Sequence, residues 1–133
     1  MITLNFKVIN TSGSPIPLAN IKLRYYYTVN GTQTQNFYCD YSPVGSANIT
    51  GSFVSMFQPR PGADTYLEVG FTSSAGSLAA GGSAIIMART AKTDWTIYNQ
   101  TDDYSYNPSA TTYVDWPKVT GYVSGVLQWG IEP

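Results

Sequence analysis

Apolar and polar residues alternate along much of this chain. Leu4, Phe6 and Val8 recur at every second position of Leu4–Ile9. Ile21, Leu23, Tyr25, Tyr27 and Val29 do the same, opposed by Lys22, Arg24, Tyr26 and Thr28. A period of two sends successive side chains to opposite faces of an extended backbone, so each set predicts a half-buried strand. Asp64–Phe71 repeats the pattern, with Leu67, Val69 and Phe71 on one face and Tyr66 and Glu68 on the other. In Tyr122–Trp129 the core-facing set is Val123, Leu127 and Trp129, and further strands are predicted at Thr34–Tyr38, Gly51–Phe57, Ser83–Arg89 and Thr112–Trp116.

No segment carries an apolar period of 3.6. Turn residues separate the runs at Asn10–Pro17, Asn30-Gly31, Pro43–Gly45, Pro59–Gly62, Ser73–Gly76, Gly81-Gly82 and Asn107-Pro108. Short strands at this spacing predict one all-β domain over residues 1–133, a sandwich of two antiparallel sheets. Phe6, Leu23, Phe53, Leu67, Val69, Phe71, Ile86 and Trp129 are the expected core. Thr90–Asn107 is long, polar and aromatic without a strand period, and a connection of that length in a small sandwich is functional or firmly tied down.

Composition narrows the chemistry. Charged residues make up 11% of the chain, against a usual quarter, and Thr, Ser, Asn, Gln, Gly and 11 Tyr take their place. Such a surface suits uncharged polar ligands. Seven basic against eight acidic residues give a net charge of −1, with no basic patch to drive nucleic-acid binding. No apolar run approaches the roughly 20 residues of a membrane-spanning helix. The single Cys39, between Tyr38 and Asp40, reads as a buried inert thiol. The absence of His excludes Ser-His-Asp and Cys-His catalysis and removes the usual zinc ligand. Paired carboxylates remain open to a glycosidase, but none of the eight acids stands in a recognisable acid–base motif, so no enzyme is expected. The Asn-X-Ser/Thr triplets at Asn10, Asn30, Asn48 and Asn99 are read as chance occurrences rather than glycan acceptors.

Six segments together resemble the family 3 carbohydrate-binding modules of cellulosomal scaffoldins and bacterial cellulases. They are Lys22–Gly31 (KLRYYYTVNG), Asn36–Tyr41 (NFYCDY), Asp64–Glu68 (DTYLE), Ala88–Trp95 (ARTAKTDW), Asp102–Ser105 (DDYS) and Gly125–Pro133 (GVLQWGIEP). The resemblance implies a jelly-roll β-sandwich, a structural calcium ion and a flat strip that binds crystalline cellulose. It further implies a non-catalytic, extracellular part of a larger bacterial protein, joined to neighbouring modules. Family members carry another strand before the equivalent of Ile2–Val8, so the sandwich is expected to lack its first strand and to leave an edge or a gap there. A helper module that packs against a catalytic domain without gripping cellulose is the alternative reading.

By the same resemblance, Asp40, Tyr41, Arg89 and Trp95 occupy strip positions. Trp95 would stack on a glucose unit, and the planar Arg89–Asp40 pair would stack on another. Tyr41 stands where scaffoldin modules often have His, and the Ser42–Asn48 loop lacks the further tyrosine of that subgroup, which implies a shorter strip. Small polar anchors are expected on the opposite face, where Met87 replaces a customary Gln and Asn10, Ser12 and Ser14 are loose candidates. The calcium ligands would be the carbonyls of Thr28, Asn99 and Asp102 with the side chains of Asn30 and Asp103, Asn30 replacing a common Asp. Arg24, Tyr26, Tyr66, Glu68 and Tyr104 match a shallow groove on the other side of the fold, whose ligand could be a linker peptide or a single sugar chain; a plain aromatic cluster of the outer sheet is the competing reading.

Overall fold

The computed structural model describes residues 1–133. Its strands are β1 (Ile2–Ile9), β2 (Ile16–Pro17), β3 (Ile21–Tyr27), β4 (Gln35–Tyr41), β5 (Ile49–Arg60), β6 (Ala63–Phe71), β7 (Ser77–Leu78), β8 (Ser83–Lys92), β9 (Val119–Val123) and β10 (Val126–Trp129). One sheet has the order β1-β8-β4, the other β10-β9-β3-β6-β5, and β2 pairs with β7 in a small ribbon. All pairings are antiparallel. The result is an all-β jelly-roll sandwich.

The alternation in sequence becomes the core between these two sheets. Leu4 and Phe6 of β1, Ile86 and Ala88 of β8, Tyr25 and Tyr27 of β3, and Leu67, Val69 and Phe71 of β6 are buried in one cluster, with Leu23 and Phe53 partly buried against it. Gly51 of β5 explains how closely the sheets approach. A Cβ there would fall 2.3 Å from the Phe37 ring of β4, so the ring occupies space that any other residue would claim.

Five expectations need correction. Thr112–Trp116 forms no strand. Pro117 follows directly; it lacks a ladder N–H and restricts the residue before it. Tyr122–Trp129 is two strands rather than one, because Ser124 (φ 50°) and Gly125 (φ 80°) form a tight hairpin turn. Pro59 belongs to β5 rather than to the turn after it. Trp129 is 48% exposed and lies outside the core. It pairs with Gly121, which pairs with Leu23, so it faces inward. The smaller sheet ends at β1, which has β8 on one side and no strand of this chain on the other. Leu127 lies opposite Tyr122 on the other face, and it too is exposed.

Candidate functional site

The outer face of the smaller sheet is set by register. Thr3, Arg89 and Tyr38 lie side by side across β1, β8 and β4, and Asn5, Met87 and Tyr41 form the next such row. Cys39 pairs with Ala88 and Tyr41 with Met87, so Asp40 is the extra residue of a β-bulge. The bulge lets two consecutive side chains, Asp40 and Tyr41, leave on the solvent side where strict alternation would have hidden one of them.

Arg89 Nε donates to both Asp40 carboxylate oxygens at 3.0 Å. The guanidinium lies over the Tyr38 ring, 4.9 Å from its centroid. Tyr38 thus supports the pair from beneath; its place opposite Arg89 in the ladder, which could have revealed it, is not visible in either segment alone. An exposed ion pair contributes only about 0–1 kcal/mol to stability, so folding alone gives little reason for it.

Trp95 follows the end of β8. Its N–H donates to the Lys92 carbonyl at 2.9 Å, closing a turn, and its φ is 61°. Asp94 Oδ1 accepts from the Thr96 N–H at 3.1 Å and the Thr96 hydroxyl at 2.8 Å, fixing the next step of the chain. A bulky residue with positive φ is a genuine backbone outlier, and such strain gathers at functional sites. Trp95 is 61% exposed. A large apolar side chain left in water forgoes about 1.5–3 kcal/mol of burial. Trp95 is therefore strained and unburied at once.

At the other end of the long connection, the Thr28 N–H and hydroxyl both donate to Asp103 Oδ1 at 2.9 Å. Asn30 Oδ1 accepts from the Asn99 N–H at 2.7 Å, and Asn30 Nδ2 donates to Thr28 Oγ1 at 3.3 Å. Thr28, Asn30, Asn99 and Asp103 are thus brought together. Asp102 is exposed, and its carbonyl lies where a Cβ on Gly62 would meet it at 2.5 Å. Asp103 Oδ2 is buried without a hydrogen-bond partner. Burial raises the Asp103 carboxyl above its ordinary value, the Thr28 bonds oppose that, and the charges of Asp102 and Asp64 add to it.

On the larger sheet, Arg24 lies between the Tyr66 and Tyr122 rings, 4.5 and 4.3 Å from their centroids. Its Nε bonds Glu68 at 3.0 Å and its Nη1 approaches Glu132 at 3.8 Å. Tyr122 and Glu132 escaped the sequence reading, because each joins the cluster from a segment distant in the chain. Tyr26 shares the outward face with Arg24 and Tyr66, as expected, but is only 2% exposed because neighbouring rings cover it. Its hydroxyl shares hydrogen bonds with Thr120 at 2.9 Å and Tyr122 at 3.1 Å, under the edges of the Tyr66 and Tyr104 rings. Tyr104 donates to the Ile131 carbonyl at 2.6 Å. A depression of about 490 Å³ opens above Arg24, Tyr26 and Tyr66, bounded by Phe57, Arg60 and Glu132.

The remaining candidates are placed differently. Asn10 is buried and knits its own loop, donating to the Ser14 and Leu78 carbonyls and accepting from Ser12, so it offers no free anchor. Met87 lies on the same face as Arg89, not on an opposite one. Cys39 packs against the core, and burial pushes its thiol up, with a further push from Asp40.

A β-sandwich whose smaller sheet turns outward tyrosines and an arginine–aspartate ion pair, with an exposed tryptophan beyond, has the architecture of a carbohydrate-binding module, a non-catalytic domain. The chain belongs to family 3 of these modules: the family model described as a cellulose binding domain matches residues 1–130. It is similar to a xyloglucanase from a Paenibacillus species, 54% identical over 99% of this chain, which spans 13% of that protein. Among solved structures, it resembles the CBM3b of the scaffoldin ScaA from Acetivibrio cellulolyticus (TM-score 0.96, 55% identity, 98% of this chain and 86% of that one). It also resembles a biomass-sensing module of RsgI-like proteins from Clostridium thermocellum (TM-score 0.97, 50% identity, 99% of this chain and 87% of that one).

Proposed function

We propose that this module binds crystalline cellulose through Trp95, Tyr41 and the Arg89–Asp40 pair, and so carries a larger extracellular protein to plant cell-wall polysaccharide. The faces of a pyranose ring present polarised C–H bonds, which aromatic π-faces attract while apolar area is buried. A rigid crystal face demands contacts that are already in place, because ordering mobile side chains on contact would cost affinity. The observation that carries the reading is Trp95, exposed in a strained backbone at the end of the strand that bears Arg89. Tyr38 extends the same reading, since its ring supports the guanidinium at 4.9 Å. Neighbouring modules of the parent protein are the covalent partners, and the relationship to a xyloglucanase and a scaffoldin supports a cell-wall setting.

A calcium ion belongs to the same reading as a structural element. The buried, unpartnered Asp103 Oδ2 fits a hard cation that seeks oxygen donors, and the carbonyls of Thr28, Asn99 and Asp102 with the Asn30 amide oxygen would be its other ligands. When bound, it would supply positive charge to a carboxylate that burial disfavours.

Sedimentation with microcrystalline cellulose, chitin and xylan tests the function. Retention on cellulose is expected for the unaltered module, and Trp95→Ala should lose most of it. Equal retention of both proteins would overturn the assignment.

A further inference from the structure

One buried charge has no part in the strip or in the calcium ligands. Lys92, the last residue of β8, is 1% exposed and faces inward. Its ammonium donates to the Asn30 carbonyl at 2.8 Å and to the Ile97 carbonyl at 3.4 Å. It lies 4.9 Å from the centroid of the Tyr98 ring, whose hydroxyl donates to Gln35 at 2.9 Å. No carboxylate pairs with it. Burying an ammonium without a counter-ion is costly, and an unbranched apolar side chain could fill the same space. The bonds to those two carbonyls are what an apolar residue could not supply.

Those bonds bracket Trp95. The Lys92 carbonyl accepts the Trp95 N–H at 2.9 Å, while its ammonium grips the carbonyl of Ile97, two residues further on. The contact with Asn30 ties this short arc to the loop after β3. Trp95 at φ 61° occupies a conformation that a free tryptophan seldom adopts, and it keeps that conformation only while its surroundings over-determine it. Asp94 and Thr96 supply one local restraint. Thr93 ties the arc to Thr34 through its N–H at 2.9 Å, and Lys92 alone reaches across to the residue on the far side of Trp95.

We propose that Lys92 is a positioning residue that holds Trp95 in its binding conformation by clamping the chain on both sides of it. This rests on the reading of Trp95 as the polysaccharide contact. With the clamp gone, Trp95 relaxes toward negative φ and the indole leaves its present orientation.

The test uses Lys92→Met, which keeps most of the volume and removes the donors. Binding isotherms on microcrystalline cellulose should show affinity reduced about tenfold, the equivalent of ~1.4 kcal/mol. With 5-fluorotryptophan incorporated, ¹⁹F NMR should show the Trp95 resonance, identified by its loss in Trp95→Phe, shifted or broadened. Those of Trp116 and Trp129 should stay in place. Ile86→Val, a core change that also lowers Tm, should alter neither readout. Lys92→Arg, which retains a buried cation with several donors, should recover part of the affinity. If Lys92→Met does not fold, Lys92→Gln, which can still serve one carbonyl, should give an intermediate affinity and the same resonance shift. A Lys92 variant with lowered Tm but unchanged affinity and an unmoved Trp95 resonance would overturn the proposal. Should Trp95→Ala itself retain cellulose binding, the strip reading fails, and the Trp95 resonance still reports whether Lys92 positions the loop.

Discussion

Arg89 and Asp40 meet through a single nitrogen, Nε of Arg89 lying 3.0 Å from each oxygen of the Asp40 carboxylate, while the guanidinium rests on Tyr38. The arginine is therefore held both by the Asp40 carboxylate and by the Tyr38 ring. Asp40→Ala should weaken cellulose binding by about threefold to tenfold, since the stack on Tyr38 survives, whereas Trp95→Ala should cost far more. Adsorption isotherms of the two variants give the ranking, and an equal or larger loss from Asp40→Ala would contradict it.

The positive φ of Trp95 predicts a separation of binding from stability. A non-glycine residue in the left-handed region costs roughly 1–2 kcal/mol, which glycine avoids. Trp95→Gly is expected to abolish retention on cellulose while Tm holds or rises slightly. A marked fall in Tm would mean that the indole stabilises the fold rather than serving a ligand.

Asp103 predicts a pH dependence whose sign reverses with metal. Its folded-state value lies above the ordinary 3.8, mainly through burial, so the metal-free fold favours the protonated form. The stability that this residue contributes is fully present below the ordinary value and is lost as pH rises through the raised one. Calcium requires the carboxylate and reverses that trend. Chelation should therefore lower Tm more at pH 7 than at pH 4, and a transition indifferent to chelator at both would remove the ion from the account.

Arg24 is packed on both faces and bonded to Glu68, on the sheet that turns away from Trp95. Two cation–π contacts and a charged hydrogen bond, all partly exposed, are together worth about 2 kcal/mol. Arg24→Ala should lower urea-unfolding stability by about that amount and leave cellulose adsorption unchanged. Loss of adsorption would place the groove in the same binding event as the strip.

The strands that carry alternating residues were legible in sequence, and β3, β6 and β8 lie where the pattern predicts, with β8 running three residues further. Thr112–Trp116 misled because β-branched and aromatic residues signal a strand whether or not a partner is available to pair with it, and Pro117 limits that pairing. Trp129 misled because alternation assigns a face and does not say whether anything covers it. In the proposed strip, Asp40, Tyr41, Arg89 and Trp95 were indicated by the resemblance of their segments to the family. Tyr38, Tyr122 and Lys92 were not, since their roles depend on neighbours far away in the chain.

Local pattern in this chain settled what a local pattern can: which residues extend, which face each takes, and the low charge and abundant tyrosine of its surface. The bulge that turns both Asp40 and Tyr41 outward, the Tyr38 ring beneath Arg89 and the buried ammonium behind Trp95 were decided only when β4, β8 and the loop after β3 came together. The contacts that join these elements link residues 46 to 62 positions apart in the chain.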